Sequence, residues 1–154
     1  MIRKGRKYSL EEILPFVKQS AGNKKERMEL DGDFIKLTSD RLFVFKQDHH
    51  CCKCGIAGKF FVKEKGSDKE TSFHLNMYAI DEDGSELLMT KDHKTPRSLG
   101  GKNHPSNYQT MCVRCNLEKG NGIQRGTYLS SGKMGENPRR KKGEAQRGLE
   151  TPEN

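Results

Sequence analysis

Apolar residues first recur at helical spacing near the start of the chain, where Leu10, Ile13, Leu14 and Val17 fall on one face. Ser9-Leu10-Glu11-Glu12 fits a capping box, the serine accepting from a first-turn amide and Glu12 reaching back. Pro15 interrupts a straight helix because it lacks an amide hydrogen and its ring crowds the carbonyl of Glu11, so the pattern predicts a kink or a restart with Pro15 at the first helical position. Before this segment, Arg3, Lys4, Arg6 and Lys7 form a short cationic arm. Residues 21–33, ending in the turn-like Asp31-Gly32-Asp33, read as a connection that holds at most another helical turn, and Phe34-Ile35-Lys36-Leu37 as a short strand. Arg41 to Phe45 suits a helix capped by Thr38 or Ser39, although its four consecutive apolar residues would also suit a buried strand.

The period then changes to two. Phe60-Phe61-Val62 is a strand candidate, and a polar, lysine-rich turn separates it from Ser72 to Ile80. There Phe73, Leu75, Met77 and Ala79 alternate with His74, Asn76 and Tyr78. Asp81-Glu82-Asp83-Gly84 turns the chain back into a second strand through Leu87 to Thr90, which delivers Asp92 and His93 at its end. Strict alternation would send these two to opposite faces, so one site can use both only if the regular strand ends about there. Pro96 and the loop Arg97-Ser98-Leu99-Gly100-Gly101 predict that it does. Asn107 to Met111 reads as a short returning strand, and Asn116 to Gly120 as a short helix. Beyond Gly122 the pattern is lost: Ile123 to Leu129 forms at most a last short element, and Ser130 to Asn154 is rich in Gly, Pro and charge. The organisation predicted is a mainly helical extension over residues 1–37, a domain over 38–129 and a basic, disordered tail over 130–154. In that tail Arg139-Arg140-Lys141-Lys142 adds nonspecific affinity for polyanions.

Composition sharpens this picture. Only 31% of the 154 residues are hydrophobic and none is tryptophan, so apolar burial alone makes a thin core. The net charge of +8 makes a polyanion the default partner. Met1 to Ser20 scatters charges among its apolar residues, and no apolar run approaches membrane-spanning length, so the expected setting is intracellular, without a membrane partner. In a reducing compartment paired cysteines point to metal. Cys51-x-x-Cys54 is followed by Gly55 as in a zinc knuckle, and Cys112-x-x-Cys115 supplies a second pair across residues 55–111. A structural zinc shared by the four would contribute on the order of 10 kcal/mol, enough to replace much missing core. His49 and His50 are further candidate ligands, which a site completed by four cysteines does not need, and Cys52 is left as a spare, buried thiol.

The order Asp92-His93-Lys94-Thr95-Pro96, Gly100-Gly101, Asn107, Cys112-Val113-Arg114-Cys115-Asn116 and Glu118-Lys119-Gly120 resembles the HNH endonuclease family, in the four-cysteine form common among phage and bacterial nucleases. The resemblance covers roughly Arg41 to Gly122. It implies an α+β fold, a small zinc-stabilised ββα-metal nuclease domain around one catalytic divalent ion. It also implies that Asp92 and Asn116 bind that ion, that His93 is the general base, and that Asn107 orients His93 or braces its loop. Cys51, Cys54, Cys112 and Cys115 would hold a separate structural zinc. The third family position, often histidine, is Asn116 here, which bears on metal preference more than on activity.

The chemistry agrees with what such residues do. A neutral imidazole is a suitable base for water, and a divalent cation stabilises phosphoryl charge and the leaving 3′-oxygen. Asp92 and Asn116 offer oxygen donors, which suit magnesium or manganese better than zinc. Lys91, Lys94, Arg97, Lys102, Arg114 and Lys119 surround them as candidate phosphate contacts, Lys119 nearest the site. DNA is the expected substrate, nicked or cut. The alternatives are a zinc-stabilised nucleic-acid-binding module without catalysis, which the combination of Asp92, His93, Asn107 and Asn116 argues against, and an RNA-directed nuclease, for which this aromatic-poor chain advertises no stacking surface. Oligomeric state, target sequence and biological role are not encoded in these motifs.

Overall fold

A computed structural model describes residues 1–20 and 26–120 of the chain; the tail, the Ile123 to Leu129 segment and the basic Arg139 to Lys142 run lie outside the described residues. The first element is a strand, β1 (Ile2–Ser9), which corrects the cationic-arm expectation. It pairs antiparallel with β4 (Gly58–Lys65), and its register shifts between Lys4 and Tyr8 around Gly5, whose φ of 81° a side chain would resist. Arg3 pairs with Glu64 at 2.9 Å and Glu86 at 2.6 Å, Lys7 with Glu86 at 2.8 Å, Lys4 with Asp33 at 3.1 Å and Arg6 with Glu12 at 2.7 Å. The arm is thus a charged edge strand whose cations are held by acids from other segments.

Ser9 caps the short helix α1 (Leu10–Ile13) with the capping box in place: Ser9 Oγ accepts from Glu12 N at 3.3 Å and Glu12 Oε2 accepts from Ser9 N at 2.7 Å. Pro15 then lies within the first two positions of a separate 3-10 turn over Leu14–Phe16, the restart its missing amide calls for. The connection read after residue 21 is in part a hairpin, β2 (Arg27–Leu30) and β3 (Asp33–Lys36), turned by Asp31 and Gly32, both at positive φ. The described residues of 1–37 are therefore richer in strand than in helix, against the expected helical extension. Helix α2 (Asp40–Gln47) begins at Ser39, whose hydroxyl accepts from Leu42 N at 3.2 Å.

β4, β5 (His74–Ile80), β6 (Glu86–His93) and β7 (Tyr108–Cys112) follow, and the five-stranded antiparallel sheet has the order β1-β4-β5-β6-β7. Phe61, Leu75, Met77, Ala79 and Met89 pack with Ile13, Val17, Ile35, Leu42 and Phe45 into the main core, which Cys51, Cys112 and Cys115 join at one end. A smaller cluster of Phe60, Val62 and Tyr78, with Leu88 against it, is roofed by Arg3 over Tyr78 and Lys7 over Phe60. One fully buried lysine, Lys63, donates to the carbonyl of Leu30 at 2.6 Å and to Asp33 at 2.7 Å, fastening the β2–β3 hairpin to the sheet. After β7 the chain enters helix α3 (Val113–Gly120), which packs on β6 and β7. Among the described residues no helix is long and apolar enough to cross a membrane.

Candidate active site and cysteine cluster

The first cysteine pair follows α2 in a tight turn, with Gly55 N bonded to Cys51 O at 2.8 Å and Cys51 N to Ile56 O at 2.9 Å. Cys52 N donates to Thr110 O at 2.9 Å, which docks this turn on β7 beside Cys112. Cys115 lies in the first turn of α3, its amide on Cys112 Sγ at 3.5 Å. The four sulfurs of Cys51, Cys54, Cys112 and Cys115 all lie within 4.8 Å of one another, and Cys54 Sγ is 3.8 Å from Cys112 Sγ. Tetrahedral zinc with bonds near 2.3 Å to sulfur separates its ligands by about 3.8 Å, so the cluster could hold a metal such as zinc. No two of the cysteines are joined in a disulfide. Burial pushes the Cys112 and Cys115 thiols up. At Cys51 burial acts the same way but is outweighed by backbone N–H groups of Cys54, Cys112 and Lys53, which draw the thiol down to about 6. A bound cation would resolve that conflict by favouring all four as thiolates. His50 lies outside the group with Nδ1 on Asp48 Oδ1 at 2.9 Å, and Cys52 is exposed instead of buried.

β6, β7 and α3 shape the second site. Asp92 and His93 pair in register with Gln109 and Tyr108, and β6 ends on His93. A cleft of about 420 Å³ beside that end is lined by Asp92, His93, Arg97, Asn116 and Lys119 together with Pro96, Ser98 and Gly120. Asp92 is nearly buried, with 11% of its side chain exposed, and its Oδ2 accepts from Gln109 Nε2 at 2.7 Å and Lys119 Nζ at 2.6 Å. Lys119 Nζ also donates to His93 O at 2.5 Å. Asn116 Nδ2 donates to Thr90 Oγ1 at 3.0 Å, and Thr90 in turn to Met111 O at 2.8 Å. Among the described residues these contacts leave Oδ1 of Asp92 and Oδ1 of Asn116 without a hydrogen-bond partner. The His93 ring meets Tyr108 edge-on, with centroids 4.9 Å apart, and its Nε2 lies 2.9 Å from Asn103 Oδ1.

Among the described residues no hydrogen bond joins His93 to the Asn107 side chain. Its Oδ1 accepts from Thr95 N at 2.9 Å, and its Nδ2 donates to Thr95 O at 3.1 Å and Lys102 O at 3.0 Å, so the side chain ties both ends of the 95–102 loop. Gly101 is required inside that tie, because a methyl there would overlap the Thr95 carbonyl and press on Asn107 Nδ2. Replacing Asn107 by alanine is expected to remove roughly 1 kcal/mol per lost bond. Trypsin should then cut faster at Lys94, Arg97 or Lys102 in a timed digest while the rest of the fold persists; unchanged digestion would dismiss the brace.

The cations named from the sequence divide sharply. Lys119 is inside the cleft, and Arg97 lines it while exposed. Lys102 is exposed on the loop, whereas Lys94 Nζ is on Ser106 O at 3.1 Å and Lys91 Nζ lies 3.6 Å over the Tyr108 ring. Arg114 is held by Asp81 at 2.5 Å. His104 is exposed and caps the 3-10 turn Pro105–Asn107, its Nδ1 accepting from Ser106 N at 3.3 Å. Thr90, Asn103 and Gln109 escaped the sequence reading: each is an ordinary polar residue whose position becomes informative only through its partner.

Residues 81–127 match the family model of HNH endonucleases, a segment that contains both sides of the cleft and the second cysteine pair but not the first. No curated protein and no solved structure matches the chain. The match suggests a nuclease and, with it, a nucleic-acid substrate.

Proposed function

We propose that the protein is a metal-dependent HNH endonuclease that hydrolyses phosphodiester bonds in DNA, with β6, β7 and α3 as its ββα-metal unit. The observation that carries this reading is the convergence of Asp92, His93 and Asn116 on one cleft. With Asn103 Oδ1 as acceptor, His93 Nε2 carries the ring proton and Nδ1 is left with the lone pair that takes a proton from water. The water oxygen then bonds to phosphorus as the bond to the 3′-oxygen breaks. Asp92 Oδ1 and Asn116 Oδ1 would hold a magnesium or manganese ion, a fit supported by two oxygen donors with no hydrogen-bond partner among the described residues. When bound, such an ion supplies charge neutralisation at the phosphoryl group and assistance to the departing oxygen. Zinc in the four-cysteine cluster is the structural counterpart. Exposed Arg97 and Lys102 are the first candidates to grip flanking phosphates; the cations of β1, engaged by acids, are poor ones.

Supercoiled plasmid incubated with zinc-loaded protein should be converted to nicked or linear forms in magnesium or manganese and stay intact in chelator. A gel shift without cutting in any metal would replace this reading with a binding module, and cutting confined to RNA would change the substrate.

A further inference from the structure

The charges of the cleft do not balance for a dication. Among the described residues its formally charged lining groups are one carboxylate, Asp92, against two cations, Arg97 and Lys119. The Lys119 ammonium is also seated on the very carboxylate a metal would use, 2.6 Å from Asp92 Oδ2, and on His93 O at 2.5 Å. Lys119 comes from the last turn of α3 and is one-third exposed, so its tip can leave Asp92 without entering the core. An incoming phosphodiester supplies what is missing, an anion that can ligate the metal and accept the ammonium at once.

On the premise of the nuclease reading, we infer that Lys119 is a positioning residue that couples metal binding to nucleic-acid binding. Without nucleic acid its ammonium neutralises Asp92, fixes the ends of β6 and α3 together, and repels a divalent ion. With a phosphate in the cleft the ammonium passes to a phosphate oxygen and no longer neutralises the Asp92 carboxylate, whose free Oδ1 then holds a divalent ion more tightly. Because linkage is reciprocal, the metal tightens nucleic acid by the same factor that nucleic acid tightens the metal. A free protein that holds no divalent ion at Asp92 has nothing to offset phosphoryl charge or assist the departing oxygen until the substrate is seated.

Free manganese counted by electron paramagnetic resonance, in titrations of zinc-loaded, full-length protein with and without a short DNA duplex, tests this directly. A His93→Ala background keeps the duplex intact. The duplex should tighten manganese binding by roughly tenfold or more, within the usual range of coupling. In the absence of DNA, Lys119→Met should bind manganese more tightly than the parent by a similar factor, and its gain on adding duplex should shrink. Lys119→Gln, which keeps a hydrogen-bonding tip without the charge, should do the same and serves if the methionine variant misfolds. Unchanged or weaker manganese binding by the DNA-free variants would overturn the inference and make Lys119 a simple clamp. That result is distinct from failure of the nuclease reading, which would appear as a plasmid left intact in every metal.

Discussion

His93→Ala is expected to slow plasmid nicking by about 10²- to 10⁴-fold, the range that a positioned general base contributes, while leaving the protein folded and able to shift DNA on a gel. His93 is the last residue of β6, so its side chain is not enclosed by the sheet, and the alanine loses chiefly the edge contact with Tyr108. Such an aromatic contact contributes about 0.5–1.5 kcal/mol, too little to unfold a domain whose main core is elsewhere. The ring is held on two sides, by Tyr108 and by Asn103, which favours one orientation of Nδ1 before substrate arrives. Single-turnover nicking at saturating manganese separates the base from metal binding: the alanine variant should saturate at the parent's metal concentration but with the lower rate. A variant that nicks as fast as its parent would remove His93 from the mechanism, and one that melts much earlier would assign it to the fold.

The elements that position the cleft are the ones local sequence marks best. Alternation over Ser72 to Ile80, an Asp-Gly turn and a second apolar run specify the β5–β6 hairpin. A short strand and a short helix were also expected around the second cysteine pair, although α3 starts at Val113, before the expected Asn116, and so takes in Cys115. Asp92, His93, Asn116 and Lys119, which line the cleft, were nameable from the sequence through the resemblance of their spaced motifs to the HNH family. What orients them was not, since Thr90, Asn103 and Gln109 gain meaning only when β6 and β7 pair and the loop closes. The same limit explains β1. A strand with one buried residue, Tyr8, has almost no apolar period, and its partners, the β4 ladder and the acids Glu64 and Glu86, lie far along the chain. Lys63 shows the opposite failure: a lysine in a strand reads as solvent-facing, yet it is fully buried because carbonyl and carboxylate oxygens of the β2–β3 hairpin surround its ammonium.

Cys115→Ser is expected to abolish zinc binding and with it both cleavage and much of the stability. The replaced sulfur is one of four that lie within 4.8 Å, and Cys51, Cys112 and Cys115 are also members of the main core, so the site and the core are lost together. Structural zinc contributes on the order of 10 kcal/mol, comparable to the whole stability of a domain this size. The cost reaches the cleft through α3. Eight residues are too few for an isolated helix, and its first turn carries Cys115 next to Asn116. Without the metal that turn is tied to the Cys51–Cys54 knuckle by weaker contacts such as the exposed Lys53–Glu118 ion pair at 2.7 Å, so Asn116 is expected to leave Thr90 and the Lys119 clamp on Asp92 to go with it. Zinc measured on purified protein should fall from about one equivalent per chain to below about half, with melting temperature and nicking falling in parallel. Cys52→Ser is the matched control, because that thiol is exposed and outside the cluster, and it should keep zinc, melting temperature and cleavage. Zinc lost from Cys115→Ser with cleavage retained would mean that β6 and β7 hold α3 in place by themselves, and that the two sites share a helix without sharing a fate.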